Sequence, residues 1–590
     1  MFHVIDLYGT INNRLFPTDH RSQPTCSIDD THHRVTKHNT MPLWLQNLDV
    51  EGILWMLLPL LHIFISHVGN NSNEQQQLQD VAWMIPWLVI VNFWISWGLV
   101  PSLSVFSHPN HGSRQPAAAV TTTTTAGDDV VGSAMASILP SMMLYAMAQW
   151  DSYWFFYAKV MIFAGLVTSR RYDISFWEAV VGAVVGAVVG AFWIKIPVLP
   201  SLHMWTILLA FRYVGVWLQQ PLGTIVTKGE FHVLQSVLSV AVVEWLIRVR
   251  LLLLVETTLS YETLRDIPYG VIALSGLLGC GLTCFLVARL QGGLGVRLVT
   301  SLLGPLVVVE TTLWWILKNE NESEDDAAIS MYLPLSKSLN WLFYFLLSVE
   351  ETNGKYMPQW YGLVYWVVAG LMLGFVTIWI VMKSQQQKQS FVVVTRKWFH
   401  VVAIVLFTPI TIAFPRLMGL GYAIATCGLL LLEILRHDIP FLQQFYQTLL
   451  DPQKDKQDDM CISHLLLVVG CAAPLWMAQL CQINSNSTLL QLWGVVVLGV
   501  GDAMGAMIGT WYGRHVWGKN QRTIQGSLAM GCSIACVGIM VIQGDDDDQS
   551  KSGLLLLLAT IVCTLLEAFT WQMDNLVLPL AGSVILLLKI

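Results

Sequence analysis

Between Cys461 and Leu480 the sequence reads CISHLLLVVGCAAPLWMAQL. These 20 residues contain no Asp, Glu, Lys or Arg, and as a helix they measure about 30 Å, the thickness of a bilayer's hydrocarbon core. The segment is therefore predicted to cross a membrane. Another span, about Leu489 to Ile508, follows it, and two more precede it, about Trp398 to Pro415 and Met418 to Ile434. Comparable stretches recur from about Ile53 to Ile590, and their number comes to roughly fifteen. Of the 590 residues, 54% are hydrophobic and only 12% charged, with a mean hydropathy of +0.56, which excludes an ordinary soluble domain. The predicted class is an all-α, polytopic integral membrane protein whose first partner is the bilayer.

The polar stretches between these C-terminal spans set the topology. QQQKQ from Gln385 leads to RKWFH at Arg396, a second polar stretch runs from Arg436 to about Met460, and a third holds Arg514, Lys519 and Arg522. Two spans separate each stretch from the next, so all three share one side. Lys383, Lys388, Arg396, Lys397, Arg436, Lys454, Lys456, Arg514, Lys519 and Arg522 fall there, against Arg416 on the other side. The positive-inside rule makes that face cytosolic. The acidic run Asp545 to Asp548 and the sequon Asn486-Ser487-Thr488 then lie opposite. Extending the alternation upstream puts Arg289 and Arg297 on the wrong face, which points to an error in the span assignment before about residue 330.

Three regions follow from composition and span pattern: a polar, disordered tail over 1–50, a multi-span region over 51–383, and a C-terminal membrane domain over 384–590, which the resemblance described below implies is catalytic. The tail has His32, His33 and His38 but no apolar run after a basic start. The biased tracts AAAVTTTTTAGDD from Ala117 and NENESEDD from Asn319 read as solvated connectors. Gly182, Gly186 and Gly190 form a helix-packing stripe. Ten cysteines form no CxxC pair, and Cys280 and Cys284 read as core packing. A net charge of -7 gives no sign of a nucleic-acid partner. Glu244 and Arg248, four residues apart in an apolar helix, are either a functional intramembrane pair or simply each other's partner.

The chemistry concentrates in Gly501-Asp502-Ala503-Met504-Gly505-Ala506-Met507-Ile508-Gly509-Thr510-Trp511-Tyr512-Gly513. Glycines at 501, 505, 509 and 513 leave one helical face bare, which by itself means close packing. Packing does not explain Asp502 on that face, followed by Arg514, Lys519 and Arg522 and then by Thr523, Gly526 and Ser527. An acid able to hold a divalent cation, beside basic and hydroxyl groups able to hold phosphates, is what phosphoryl transfer requires.

GDAMGAMIGTWYG followed by RTIQGS resembles the GDxxAxxxGxxxG and KTxEGS signature of the polyprenol kinase family, which includes the dolichol kinases and the plastid phytol and farnesol kinases. RKWFH at Arg396, EILRHDIP at Glu433 and SHLLLVVGCAAPLW at Ser463 resemble the dolichol kinase members in particular, and the likeness covers roughly residues 390 to 545. The long N-terminal extension and the lack of a transit peptide favour the same members. The resemblance implies a lipid kinase of the endoplasmic reticulum membrane. It would transfer the terminal phosphate of CTP to dolichol with Mg or Ca, giving the dolichyl phosphate carrier of protein N-glycosylation.

By the same resemblance Asp502, Lys519 and Arg522 are catalytic and Asp502 binds the metal. Gly501, Asp502, Gly505, Gly509, Gly513, Arg514, Lys519, Arg522, Thr523, Gln525, Gly526 and Ser527 bind the nucleotide. Arg396, Lys397, His400, Glu433, Arg436 and His464 support the interface. Two positions depart from the pattern. Gly505 stands where the family usually has Ala, which keeps the face small, and Gln525 replaces a customary Glu, removing a negative charge. Either that Glu serves mainly as a hydrogen-bond acceptor, or the rate or substrate is altered here. A kinase for a shorter isoprenoid such as phytol or farnesol, a multi-span transporter, and a phosphatidate cytidylyltransferase remain as alternatives.

Overall fold

The computed structural model describes residues 139–150, 198–222, 228–254, 269–289, 294–317, 336–352, 355–384, 391–436, 463–481, 488–517, 522–543, 549–570 and 574–588, with isolated positions between them. The N-terminal tail, the biased tracts, the glycine stripe at 182–190, the acidic run at 545–548 and Lys519 lie outside these residues. Eight helices among the described residues are long and apolar enough to cross a membrane, and five shorter apolar helices accompany them. The all-α class holds, apart from one two-stranded hairpin.

In chain order the helices are α1 (Leu139–Ala148), α2 (Val198–Leu222), α3 (Lys228–Leu254), α4 (Tyr269–Arg289), α5 (Leu294–Leu317) and α6 (Ser336–Leu347). The hairpin pairs β1 (Val349–Thr352) with β2 (Lys355–Pro358), Val349 opposite Pro358. Then come α7 (Trp360–Ser384), α8 (Phe391–Ala413), α9 (Pro415–Leu435), α10 (Ser463–Leu480), α11 (Thr488–Tyr512), α12 (Ile524–Ile542), α13 (Gln549–Phe569) and α14 (Asp574–Leu586). RKWFH lies in the second and third turns of α8, because the β-branched run from Phe391 joins the helix ahead of it.

The C-terminal bundle is built by backbone-close packing. A Cβ on Gly494 of α11 would stand 2.5 Å from the Gly470 carbonyl oxygen of α10, so only glycine permits that approach. Trp493, Val497, Leu498, Met530, Ile534 and Leu578 are buried in the same core. Cys280 is buried on α4, where its thiol donates to the Cys427 carbonyl of α9, while the Cys427 thiol donates to the Gly276 carbonyl. These reciprocal contacts fix α4 alongside α9. On α3, Arg248 Nε lies 3.0 Å from Glu244 Oε2, so the two groups do partner each other.

The conflict at Arg289 and Arg297 disappears in the structure. Tyr269 at the start of α4 meets Gly419 at the start of α9 and donates to Gln479 at the end of α10. Thus α4 and α9 run in parallel, and Arg289 and Arg436 terminate them at the same end. Between α5 and α7 lies α6, a 12-residue helix about 18 Å long that is too short to cross. Its N-terminus is capped by Glu310 of α5, which accepts from the Lys337 and Ser338 backbone N–H groups at 3.1 and 2.8 Å.

Candidate functional site

The site begins with an irregularity in α11. Residues Val495–Gly501 form a π-turn, and the Asp502 N–H reaches back five residues to the Val497 carbonyl instead of four to Leu498. His400 of α8 takes the Leu498 carbonyl: its Nδ1 donates at 2.7 Å, since a carbonyl only accepts. The same ring turns Nε2 toward Asp502 Oδ2 at 3.5 Å, an ion pair when the imidazole carries both protons, and both side chains are only 12% exposed. A π-turn widens the helix and rotates the residues beyond it to a new phase. Here it sets Asp502 against α8.

Beyond Asp502 the glycine face does what bare faces do. A Cβ at Gly505 would stand 3.2 Å from Met530 Cβ and 3.3 Å from the Gly526 carbonyl oxygen, and one at Gly526 would stand 2.8 Å from the Gly505 carbonyl oxygen. Helices α11 and α12 are thus in backbone contact, and Gly509 meets Thr523 and Gly526 in the same seam.

The connection between them is paired where it leaves α11 and where it enters α12. Val516 pairs with Thr523, Trp517 N–H donates to the Arg522 carbonyl at 2.9 Å, and Ile524 N–H donates to the His515 carbonyl at 2.9 Å. Thr523 caps α12, its hydroxyl accepting the Gly526 N–H at 3.2 Å. Gln525 holds the other strand of the loop. Its Oε1 accepts the backbone N–H groups of Arg514 and His515 at 3.2 and 3.4 Å, and its Nε2 donates to His515 Nδ1 at 3.2 Å.

Arg522 is held between two carboxylates. Its Nη1 lies 2.9 Å from Glu567 Oε1 and its Nη2 donates to Asp574 Oδ2 at 2.8 Å. Burial acts to lower the pKa of the guanidinium, but Glu567, Asp574 and, behind them, Asp502 outweigh it and raise the value above normal. Ser527 donates to Glu567 Oε2 at 3.4 Å, and Trp517 Nε1 donates to Ser527 Oγ at 3.1 Å. Asn575 Nδ2 donates to the Ser463 carbonyl at 3.3 Å, which brings the start of α10, with His464, to the same place.

The structure therefore gathers Asp502, His400, Arg522, Thr523, Gln525, Gly526 and Ser527 at one end of the bundle. Arg396 and Lys397 fall in the second turn of α8, toward that end. Glu433 and Arg436 also lie at this end of the bundle, as a buried ion pair at 2.8 Å. Glu567 and Asp574 escaped the sequence reading because they lie beyond the motif blocks. Their one visible signal is an acid at the end of an apolar span. Asp502 beside one imidazole fits a cation that arrives on phosphates and keeps its waters. Among the described residues no three His, Cys, Asp or Glu side chains converge as a protein cage would require.

Fold and site together define a polytopic helical membrane protein with a charged centre at one end of its C-terminal bundle. Its sequence is similar to curated dolichol kinases of animals, a plant and yeast. The bovine (Bos taurus) dolichol kinase is 26% identical over 261 residues, covering 42% of this chain and 47% of that protein. The dolichol kinase EVAN of Arabidopsis thaliana is 28% identical over 228 residues, 37% of this chain and 38% of its own length. The dolichol kinase sec59 of Schizosaccharomyces pombe is 30% identical over 190 residues, 31% and 37% respectively. The chain spans about half or less of the length of these curated relatives. No family model and no solved structure matches it.

Proposed function

We propose that this protein is a lipid kinase that transfers the terminal phosphate of CTP to dolichol in the endoplasmic reticulum membrane, its charged site facing the cytosol. The observation that carries the reading is the seam between α11 and α12, whose backbone contact at Gly505, Gly509 and Gly526 packs the helix that carries Asp502 against the helix that Arg522 and Thr523 enter. A divalent cation, Mg2+ or Ca2+, would neutralise charge on the transferring phosphate, and Asp502 is the carboxylate that would hold it. Asp502, Glu567 and Asp574 outnumber Arg522, and this negative excess favours a triphosphate that arrives with its cation.

In this reading a protonated His400 holds Asp502 in place, Arg522 faces the phosphates, Lys519 would add positive charge for them, and Gln525 keeps the Arg514 backbone against α12. The acceptor alcohol stays in the bilayer. Each buried CH2 of a polyprenol contributes about 0.8 kcal/mol, so a long chain presents its hydroxyl at headgroup depth without leaving the membrane. The product, dolichyl phosphate, would serve as the carrier for protein N-glycosylation.

The test is phosphate transfer in detergent-solubilised membranes supplied with dolichol and with CTP or ATP labelled on the terminal phosphate. Label in the lipid from CTP supports the proposal. Label from ATP instead overturns the choice of donor, and label only in phytol or farnesol moves the substrate to a shorter isoprenoid.

A further inference from the structure

Two acids that stand outside the family-like motif hold its arginine, and each comes from a different terminal helix. Glu567 lies in the last turn of α13 and Asp574 opens α14, respectively 45 and 52 residues beyond Arg522. They take opposite ends of one planar guanidinium, Nη1 at 2.9 Å and Nη2 at 2.8 Å. A guanidinium held at both Nη groups cannot swing, yet it keeps Nε–H and one outer N–H on each Nη to donate. The Arg522 side chain remains 34% exposed, so the clamp leaves part of it open to solvent. Both acids are themselves held. Glu567 Oε2 accepts from Ser527, which accepts from Trp517, and Trp517 also packs edge-on against Phe569 at 5.3 Å. Asp574 Oδ1 accepts the Asn575 N–H at 3.0 Å.

We infer that Glu567 and Asp574 are positioning residues of the phosphate-transfer site, fixing the plane of Arg522, and that the terminal helix pair α13–α14 is part of the site. The inference rests on the kinase reading. A purely structural staple would not need the arginine's remaining donors to stay accessible. A positioning clamp does.

The full chain is purified in detergent, and its KM for nucleotide and for polyprenol is measured separately in Glu567→Gln, Asp574→Asn, Arg522→Gln and the double variant Glu567→Gln/Arg522→Gln. Removing one charge-assisted bond should raise the nucleotide KM about ten- to a hundredfold. The polyprenol KM should stay unchanged, and Glu567→Gln should add less than about twofold on top of Arg522→Gln. Thermal unfolding of each variant checks folding; should Glu567→Gln fail to fold, the partly exposed Asp574 carries the test through the same cycle with Arg522→Gln. Additive losses, or a lowered melting temperature with both KM values intact, overturn the inference alone. A folded wild-type chain inactive with every nucleotide and alcohol overturns the kinase reading and the inference with it.

Discussion

Gln525 Oε1 accepts the backbone N–H of Arg514 at 3.2 Å, across the hairpin loop that joins the two helices of the site. The same oxygen takes the next N–H, from His515, at 3.4 Å. At this position the polyprenol kinase signature has Glu, and the geometry explains how an amide serves there. What the loop requires is an acceptor for two backbone donors, which a neutral carbonyl oxygen supplies. Gln525→Glu should therefore keep at least the wild-type rate, with the His515 ring turning an N–H toward the new carboxylate. Gln525→Met, of similar length but without an acceptor, leaves the loop N–H groups without this partner, and should lower kcat/KM by about tenfold or more. Parallel rate measurements on the two variants check this, and a dead Gln525→Glu would show that the loop tolerates no negative charge.

Asp502 and His400 should behave as one unit. Asp502→Asn should cut turnover by on the order of a thousandfold while the protein still inserts and unfolds at the wild-type temperature. His400→Ala frees the Leu498 carbonyl and the carboxylate together, and should cost about ten- to a hundredfold, as loss of a partner orienting a functional group does. The double variant should be no worse than Asp502→Asn alone. Full activity in Asp502→Asn would sink the assignment.

The seam between α11 and α12 separates two glycines that look alike in sequence. At Gly505 an added methyl meets Met530 Cβ at 3.2 Å, a contact that a few tenths of an ångström relieve, and Ala regains about 1 kcal/mol of helix propensity. At Gly526 the methyl meets the Gly505 carbonyl oxygen at 2.8 Å, and that backbone cannot move without reopening the seam. Gly505→Ala should be close to neutral in thermal unfolding, whereas Gly526→Ala should destabilise by about 1–3 kcal/mol and reduce activity with it.

Glu244 and Arg248 give the contrasting case of a pair remote from the site. Glu244 is buried and its partner partly so, and Glu244→Ala leaves the arginine without its carboxylate. That change should destabilise the fold by on the order of 3 kcal/mol, read as a lowered unfolding temperature, while KM for both substrates stays put in the protein that remains folded. A selective loss of turnover would instead make the pair functional.

The sequence by itself determined the membrane class, the boundaries of the C-terminal spans to within a few residues except at the start of α8, which begins seven residues early, and the sharing of one end by the three polar stretches. All three depend on local composition and on counting, and helix length against bilayer thickness leaves little freedom. Asp502 and Arg522 were legible because the motif holds both within about twenty residues. Only the tertiary structure decided the rest. That the helix over 336–347 ends after 12 residues, with its first turn capped by Glu310 from α5, shows only in the folded chain. The π-turn ahead of Asp502 leaves no mark in hydrophobic periodicity, since every residue around it is apolar or glycine and its register is fixed by His400 from another helix. The clamp on Arg522 joins residues 45 and 52 positions apart. Such pairings follow from how three helices meet, and an isolated acid at the end of a span carries no sign of which base it will find.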